Sequence, residues 1–436
     1  MDLPPSAPAS AADNLDRRLL LGAAGLAGIA ALAAGRATAG PLNPPAGAVV
    51  SSGKTLTEVE PRTAVSDVNT PGTATCIFRI SQAGSYYLTG NVQGVAGKNG
   101  IEITASGVTL DLNGFQVNGV AASSLVGILI SAFRGRTITI KNGAIRNWGG
   151  HGLESPNPSG HPASGNAYIH LQSSLNGGNG FTTQGGSVFD RCTAVENGVD
   201  GYWASGSGSF IGCTAYINTA RGFNINGDCS LTGCCATANG AAGFYSGLGS
   251  TFGDCTSEQN AIGFETTACT LRSCNAYLND SHGFILTNGV LSQSVAMNNS
   301  GDGVRAGSES RIADCSISDN DNDGLWVSNN CLVTGNVSHN NGVAAVGSPA
   351  NIRLAGSDNR VEGNNCTDAP VGIVAGAAGN VLFSNTCSGN TTNWSLVANN
   401  VHGPIIDRTA PASAAVSGNS ALDSSGSTHP RANFSF

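Results

Sequence analysis

Asn197-Gly198-Val199-Asp200-Gly201-Tyr202-Trp203, Asn218-Thr219-Ala220-Arg221-Gly222-Phe223-Asn224 and Asn239-Gly240-Ala241-Ala242-Gly243-Phe244-Tyr245 share one pattern: asparagine, then glycine four residues on, then an aromatic residue. Each segment begins 21 residues after the one before. Working outward, a glycine followed by an apolar residue recurs at Gly100, Gly127, Gly152, Gly180, Gly201, Gly222, Gly243, Gly263, Gly283, Gly303 and Gly324. From Gly180 to Gly324 the interval stays at 20 or 21 residues, and the pattern resumes less cleanly at Asn351, Gly372 and Asn393. Longer intervals elsewhere imply inserted loops.

Three columns share this period. Phe181, Tyr202, Phe223, Phe244, Phe264 and Phe284 follow the glycines directly. Cys192, Cys213, Cys234, Cys255, Cys274 and Cys315 come about twelve residues after them. Asn197, Asn218, Asn239, Asn260, Asn279, Asn299, Asn320 and Asn340 form the third. A period this short leaves no room for a helix plus strands, but three short strands and three turns fit it. The chain is therefore expected to be all-β, a single-stranded right-handed parallel β-helix of about fourteen coils of roughly 20 to 28 residues. Strands stacked ~4.8 Å apart superpose like residues, so aromatic, thiol and amide columns run down the interior. The six cysteines of the thiol column are read as buried thiols rather than disulfides, as are Cys366 and Cys387 in matching places of later coils.

Composition agrees. Glycine is 61 of 436 residues and charged residues only 11%, poor material for helices. The formal charge of −8 offers no basic surface for a nucleic acid. Lysine occurs only at Lys54, Lys98 and Lys141, which removes a lysine base from most of the repeat. Arg17 and Arg18 precede a weakly apolar Ala/Gly-rich run at residues 19–34, and Ala37-Thr38-Ala39 offers a small-x-small cleavage site. Residues 1–39 are thus expected to be an export signal, of the twin-arginine type or, alternatively, an ordinary Sec signal. The mature chain would have no membrane span and a periplasmic or secreted location. Residues 40–99 are read as linker and N-terminal cap, 100–400 as the solenoid, and 401–436 as a Ser/Ala-rich tail or, alternatively, a lid carrying the terminal Phe residues.

The stretch Gly84-Ser85-Tyr86-Tyr87-Leu88-Thr89-Gly90-Asn91, followed by Val108-Thr109-Leu110-Asp111-Leu112-Asn113-Gly114-Phe115, resembles the entry into the first coils of the pectate-lyase-like β-helix superfamily. The resemblance covers residues 76–400, and it implies an active site on an outer face where side chains of successive coils line up. It transfers no catalytic set. Of the polygalacturonase motifs only Gly150-His151-Gly152 occurs, and its glycine already belongs to the repeat. The pectate-lyase signatures are absent.

Outward columns therefore nominate the site. Residues two after the glycine include Trp203, Tyr245, Glu265, Arg305 and Trp326, a mixture suited to a sugar platform because rings pack on pyranose faces. Residues just before the glycine include His282, Asp302 and Asp323 in consecutive coils. Glu265, His282, Asp302, Arg305 and Asp323 are the catalytic candidates, as paired carboxylates for hydrolysis or an arginine base (Arg305 or Arg272) for a lyase. Trp203, Tyr245 and Trp326 are the substrate-binding candidates. Asp319-Asn320-Asp321-Asn322-Asp323-Gly324 matches the start of a calcium loop, with Asp319, Asp321 and Asp323 as ligands, although its twelfth position is Asn330 rather than glutamate. The functional expectation is an exported protein that binds a polysaccharide or cell-surface glycan, with cleavage by a lyase or hydrolase reaction left open. The alternative is a non-enzymatic envelope protein with a structural or adhesive role.

Overall fold

The computed structural model describes residues 59–121, 125–132, 137–156, 165–343, 347–407, 409 and 429–435. The expected signal at residues 1–39 lies outside them, as do residues 40–58 of the linker. The unit Glu60–Phe436 is a right-handed parallel β-solenoid. One wall is a parallel sheet of 15 strands, from Cys76–Ile80 to Thr392–Leu396, and the other two walls form a continuous 30-stranded sheet. A representative coil contributes Tyr202–Ser205 to the first wall, Ser209–Ile211 to the second and Thr214–Tyr216 to the third. The fifteen coils match the expectation of about fourteen. They begin at Cys76 rather than Gly100, because the first turns carry longer loops that blur the period.

Short strands with alternating burial need sharp corners between them. Arg191, Asp254, Ser273 and Gln293 turn the chain between the second and third walls, and Glu196, Ile217, Ala238, Gln259 and Leu278 turn it after the third, all with φ between 49° and 55°. Left-handed backbone is unfavourable for such side chains, so something must hold each corner. The next residue does so. Asn218 follows Ile217 with its side chain turned inward; its backbone N–H and its Nδ2 both donate to Asn239 Oδ1, at 3.0 and 2.9 Å. The same link repeats from Asn176 through Asn197, Asn239, Asn260, Asn279, Asn299 and Asn320 to Asn341.

The ladder also explains the repeat glycine. A Cβ on Gly201 would sit 2.8 Å from Asn218 Nδ2 and 2.7 Å from the Gly222 carbonyl oxygen. Beside it the six expected rings stack in register with centroids 4.6 to 5.0 Å apart. A second stack, Tyr168, Phe189 and Phe210, meets the first edge-on, as Phe252 does lower down.

Two column assignments need correction. Asn341, not Asn340, carries the ladder onward; Asn340 is itself a corner residue at φ 54°, and its Nδ2 donates to Asp319 Oδ1 at 2.7 Å. Cys366 and Cys387 pair in register with Ser338, in the small-residue column of Ala194 and Ala215 rather than the thiol column. Insertions after Gly324 break the count on which both assignments rested. At the C-terminus, Val401–His402 extends the second wall, and Asn433–Ser435 returns to extend the third, inserted between Thr386–Ser388 and Ile405–Asp407. Part of the expected tail is therefore solenoid.

Replacing Asn239 by Ala leaves the Asn218 donors and the Ala215 carbonyl without their partner. The expected loss is ~3 kcal/mol, read as a lower urea midpoint, whereas Thr232→Ala on the exposed face stays within about 0.5 kcal/mol of wild type.

Candidate functional site

The 15-stranded wall carries the nominated outer face. Strand register places Glu154, Thr182, Trp203, Asn224, Tyr245, Glu265, Ile285, Arg305, Trp326 and Arg353 in one outward column, each a coil below the last. Trp203, Tyr245, Glu265, Arg305, Trp326 and Arg353 are all half-buried. The period-two reading of the strands is thereby met: the residue after the glycine points in and the next points out.

Two of the three aromatic candidates are not bare. The Arg221 guanidinium sits 4.0 Å from the Tyr245 ring centre, and that of Arg305 sits 4.2 Å from the Trp326 ring centre. Such cation–π contacts fix the rings and place a positive group beside each. Trp203 stands five coils above Arg305 along the wall.

The column just before the glycines lies at the turn that enters this wall, and it is largely buried. Its side chains accept the backbone N–H of the equivalent residue one coil on: His151 Nδ1 from Asn179, Asn179 Oδ1 from Asp200, Asp200 Oδ1 from Arg221, His282 Nδ1 from Asp302, Asp302 Oδ1 from Asp323, and Asp323 Oδ1 from Ala350. This is a second, turn-side ladder built from mixed acceptors. It accounts for His151 and the Gly-His-Gly string without any catalytic role.

The candidates His282, Asp302 and Arg305 do come together. Asp302 is fully buried; its Oδ1 also accepts from Asn322 Nδ2, and its Oδ2 lies 3.1 Å from Arg305 and 3.4 Å from His282 Nδ1. His282 Nδ1 can receive the Asp302 N–H only when unprotonated, whereas an ion pair with Asp302 needs it protonated. Burial holds the imidazole below its usual pKa, with the Asp302 charge opposing, so the neutral ring that accepts the N–H is the resting state. Asp323 spends its second oxygen on Arg353 Nε at 2.7 Å, and burial raises its pKa despite that guanidinium.

Paired carboxylates for hydrolysis are accordingly not presented to solvent. Glu265 is half-buried on the outer column, but Asp302 and Asp323 face into the turn with their oxygens engaged. Arg272, the other arginine named for a lyase, lies on the 30-stranded sheet and donates to Gln293 Oε1, away from this wall. The calcium reading also fails on geometry. Asp319 is a corner residue bonded to Asn340, Asn320 belongs to the ladder, Asp321 is exposed and Asp323 turns inward. Among the described residues no group of three or more His, Cys, Asp or Glu side chains is placed to hold a metal ion.

Arg221, Asn224, Asn322 and Arg353 belong to the site but were not singled out from sequence. Arg353 was hidden by the insertion after Gly324; counting two past the resumed repeat at Asn351 finds it. The concavities of about 590 Å³ beside His170, Gln172 and Arg191, and about 290 Å³ beside Arg79 and Tyr86, include none of the nominated residues. No helix among the described residues is long and apolar enough to cross a membrane.

Neither a protein-family model nor a curated protein matches the sequence. Solved structures similar to this chain include the Azotobacter vinelandii mannuronan C-5 epimerase AlgE4 A-module, at 15% identity and TM-score 0.40, covering 73% of this chain and 90% of that one. The periplasmic alginate epimerase AlgG is similar at 11% identity and TM-score 0.38, covering 78% and 79%. The Dettilon tailspike protein gp208 is similar at 15% identity and TM-score 0.33, covering 75% and 62%. These are parallel β-helix proteins.

His282 yields a pH prediction. Its folded pKa lies below the unfolded value of about 6.5, so its contribution is intact above that value and is lost as pH falls toward the folded pKa. His282→Asn keeps an acceptor for the Asp302 N–H, as Asn179 does one ladder position below His151. Urea midpoints measured against pH should therefore fall less on acidification in the variant than in wild type. Chelators and added calcium should leave the melting temperature unchanged, since Asp319 and Asp323 already have protein partners.

Proposed function

We propose that this chain is an exported β-helix protein, periplasmic or secreted, that binds a polysaccharide along the outer face of its 15-stranded wall. One observation carries the reading: Trp203, Tyr245 and Trp326, with Glu265, Arg305 and Arg353, stand in a single register on one outward face. Seven coils from Trp203 to Arg353 span roughly 34 Å at ~4.8 Å each, room for a chain of several sugar rings rather than one small molecule. Rings offer stacking surfaces, while arginines offer donors to hydroxyl or carboxylate oxygens.

Binding is favoured over cleavage. The carboxylates that would act on a glycosidic bond, Asp302 and Asp323, are held as turn acceptors, and His282 already uses Nδ1 on the backbone. Within this reading Glu265 is the one candidate carboxylate of the outer column left to meet a ligand, and Arg305 is a contact residue that also fixes Trp326.

The test is a panel of neutral and acidic polysaccharides, read by glycan binding, by reducing ends and by absorbance of unsaturated uronate. Binding without either product is expected, with Trp203→Ala or Trp326→Ala weakening it about tenfold, roughly 1.4 kcal/mol. Absence of binding across the panel would overturn the reading and leave the structural or adhesive role. Release of products would instead make the face catalytic.

A further inference from the structure

Independently of any ligand, the interior carries a chemical requirement. All thirteen cysteines are free and all but Cys235 are buried. Cys192, Cys213, Cys234, Cys255 and Cys274 occupy consecutive coils directly after the first left-handed corner. Their Sγ atoms lie 3.2, 3.6, 3.5, 3.6 and 3.6 Å from the carbonyl oxygens of Tyr168, Phe189, Phe210, Leu231 and Phe252, one coil back.

Further down, the same position is filled by other residues. Cys274 N–H donates to Ser294 Oγ, Cys315 N–H to Asn336 Oδ1, and the column ends in Asn364, Asn385 and Asn433. Nδ2 of Asn336, Asn364, Asn385 and Asn433 donates to Ile312, Val333, Val361 and Leu382 carbonyls, at 3.1, 3.1, 3.0 and 3.3 Å. Those carbonyls continue the strand column of Tyr168 and Phe189. Five thiols and four carboxamides thus do one job, donating a proton to the carbonyl of the coil before, while Ser294 and Cys315 donate to Ser292 and Ala313 within their own coil.

A disulfide sulfur has no proton to donate. Joining two neighbours in this column would withdraw the thiol donor from two strand carbonyls inside a core that water does not reach. We propose that the sulfhydryl column is a hydrogen-bond ladder that must close while the chain is reduced, so that the solenoid folds before it meets a disulfide-forming environment and is inert to such oxidants afterwards. In the unfolded chain the competing step is thiol–disulfide exchange with a small disulfide. Two protein thiols give up two protons and two electrons, one protein S–S bond forms, and the reagent's S–S bond is broken to two reagent thiols. In the folded chain burial of the column excludes the reagent.

The experiment uses the purified full chain, unfolded in guanidinium under reductant and diluted into reduced or oxidised glutathione. Circular dichroism and a thiol titration under denaturing conditions are the readouts. The reduced arm is expected to recover the native spectrum and thirteen thiols, and the oxidised arm to lose both. Folded protein held in oxidised glutathione should keep its spectrum and lose at most the partly exposed Cys235 thiol. Equal recovery in the two arms, or loss of column thiols from protein that stays folded, overturns the proposal. Cys213→Ser retains a donor, as Ser294 does, and should melt above Cys213→Ala; the reverse order overturns the donor role.

Discussion

The hydrogen bond from one inward carboxamide to the next, such as Asn218 Nδ2 to Asn239 Oδ1 at 2.9 Å, is the contact on which the rest of the solenoid depends. Because Oδ1 also accepts the Asn218 N–H, one side chain pins both the stacking of two coils and the left-handed corner before it. An apolar interior alone would leave the register of fifteen coils weakly defined, since stacked strands can slide when only greasy contacts oppose it. A polar column that is satisfied at one register only removes that freedom, and breaking it leaves buried groups unpaired. The glycine before each aromatic residue is a consequence, since the amide and the neighbouring carbonyl occupy the volume of its Cβ.

Regular register then organises the exterior without further instruction. Once Phe223 stacks inward on Tyr202, Asn224 and Trp203 must share the outward column. Chemistry on that face is limited by what the turns consume. His282, Asp302 and Asp323 resemble a reactive cluster by residue type, but each accepts a backbone N–H of the next coil. What remains for a ligand are half-buried rings, the arginines stacked on two of them, and Glu265. That inventory suits recognition of an extended chain better than bond cleavage.

The two inward polar columns also show how freely donors can be exchanged when geometry is kept. Cysteine, serine and asparagine follow one another at a single position after the first corner, and the final asparagine, Asn433, arrives from the last described residues of the chain. The end of the solenoid is closed by the same interaction that builds its middle.

Periodicity made the fold legible. Glycine, aromatic and asparagine spacing from Gly180 to Gly324 implied stacked coils, an inward ring column and an outward one, because an interval that repeats within one residue leaves a single way to superpose like side chains. It failed where insertions altered the count, at Asn340, Cys366 and Arg353, since a position in a column is a matter of register and not of number. Composition and spacing could nominate Asp302, Asp323 and Asp319 for catalysis or calcium, but whether a carboxylate faces a ligand or a backbone N–H depends on how the turn is closed by the coil below. The sequence by itself determined the repeat and the sidedness of its strands, which follow from local alternation. Only the tertiary structure decided which polar atoms remain available, because each is claimed or released by a neighbour some 20 residues away.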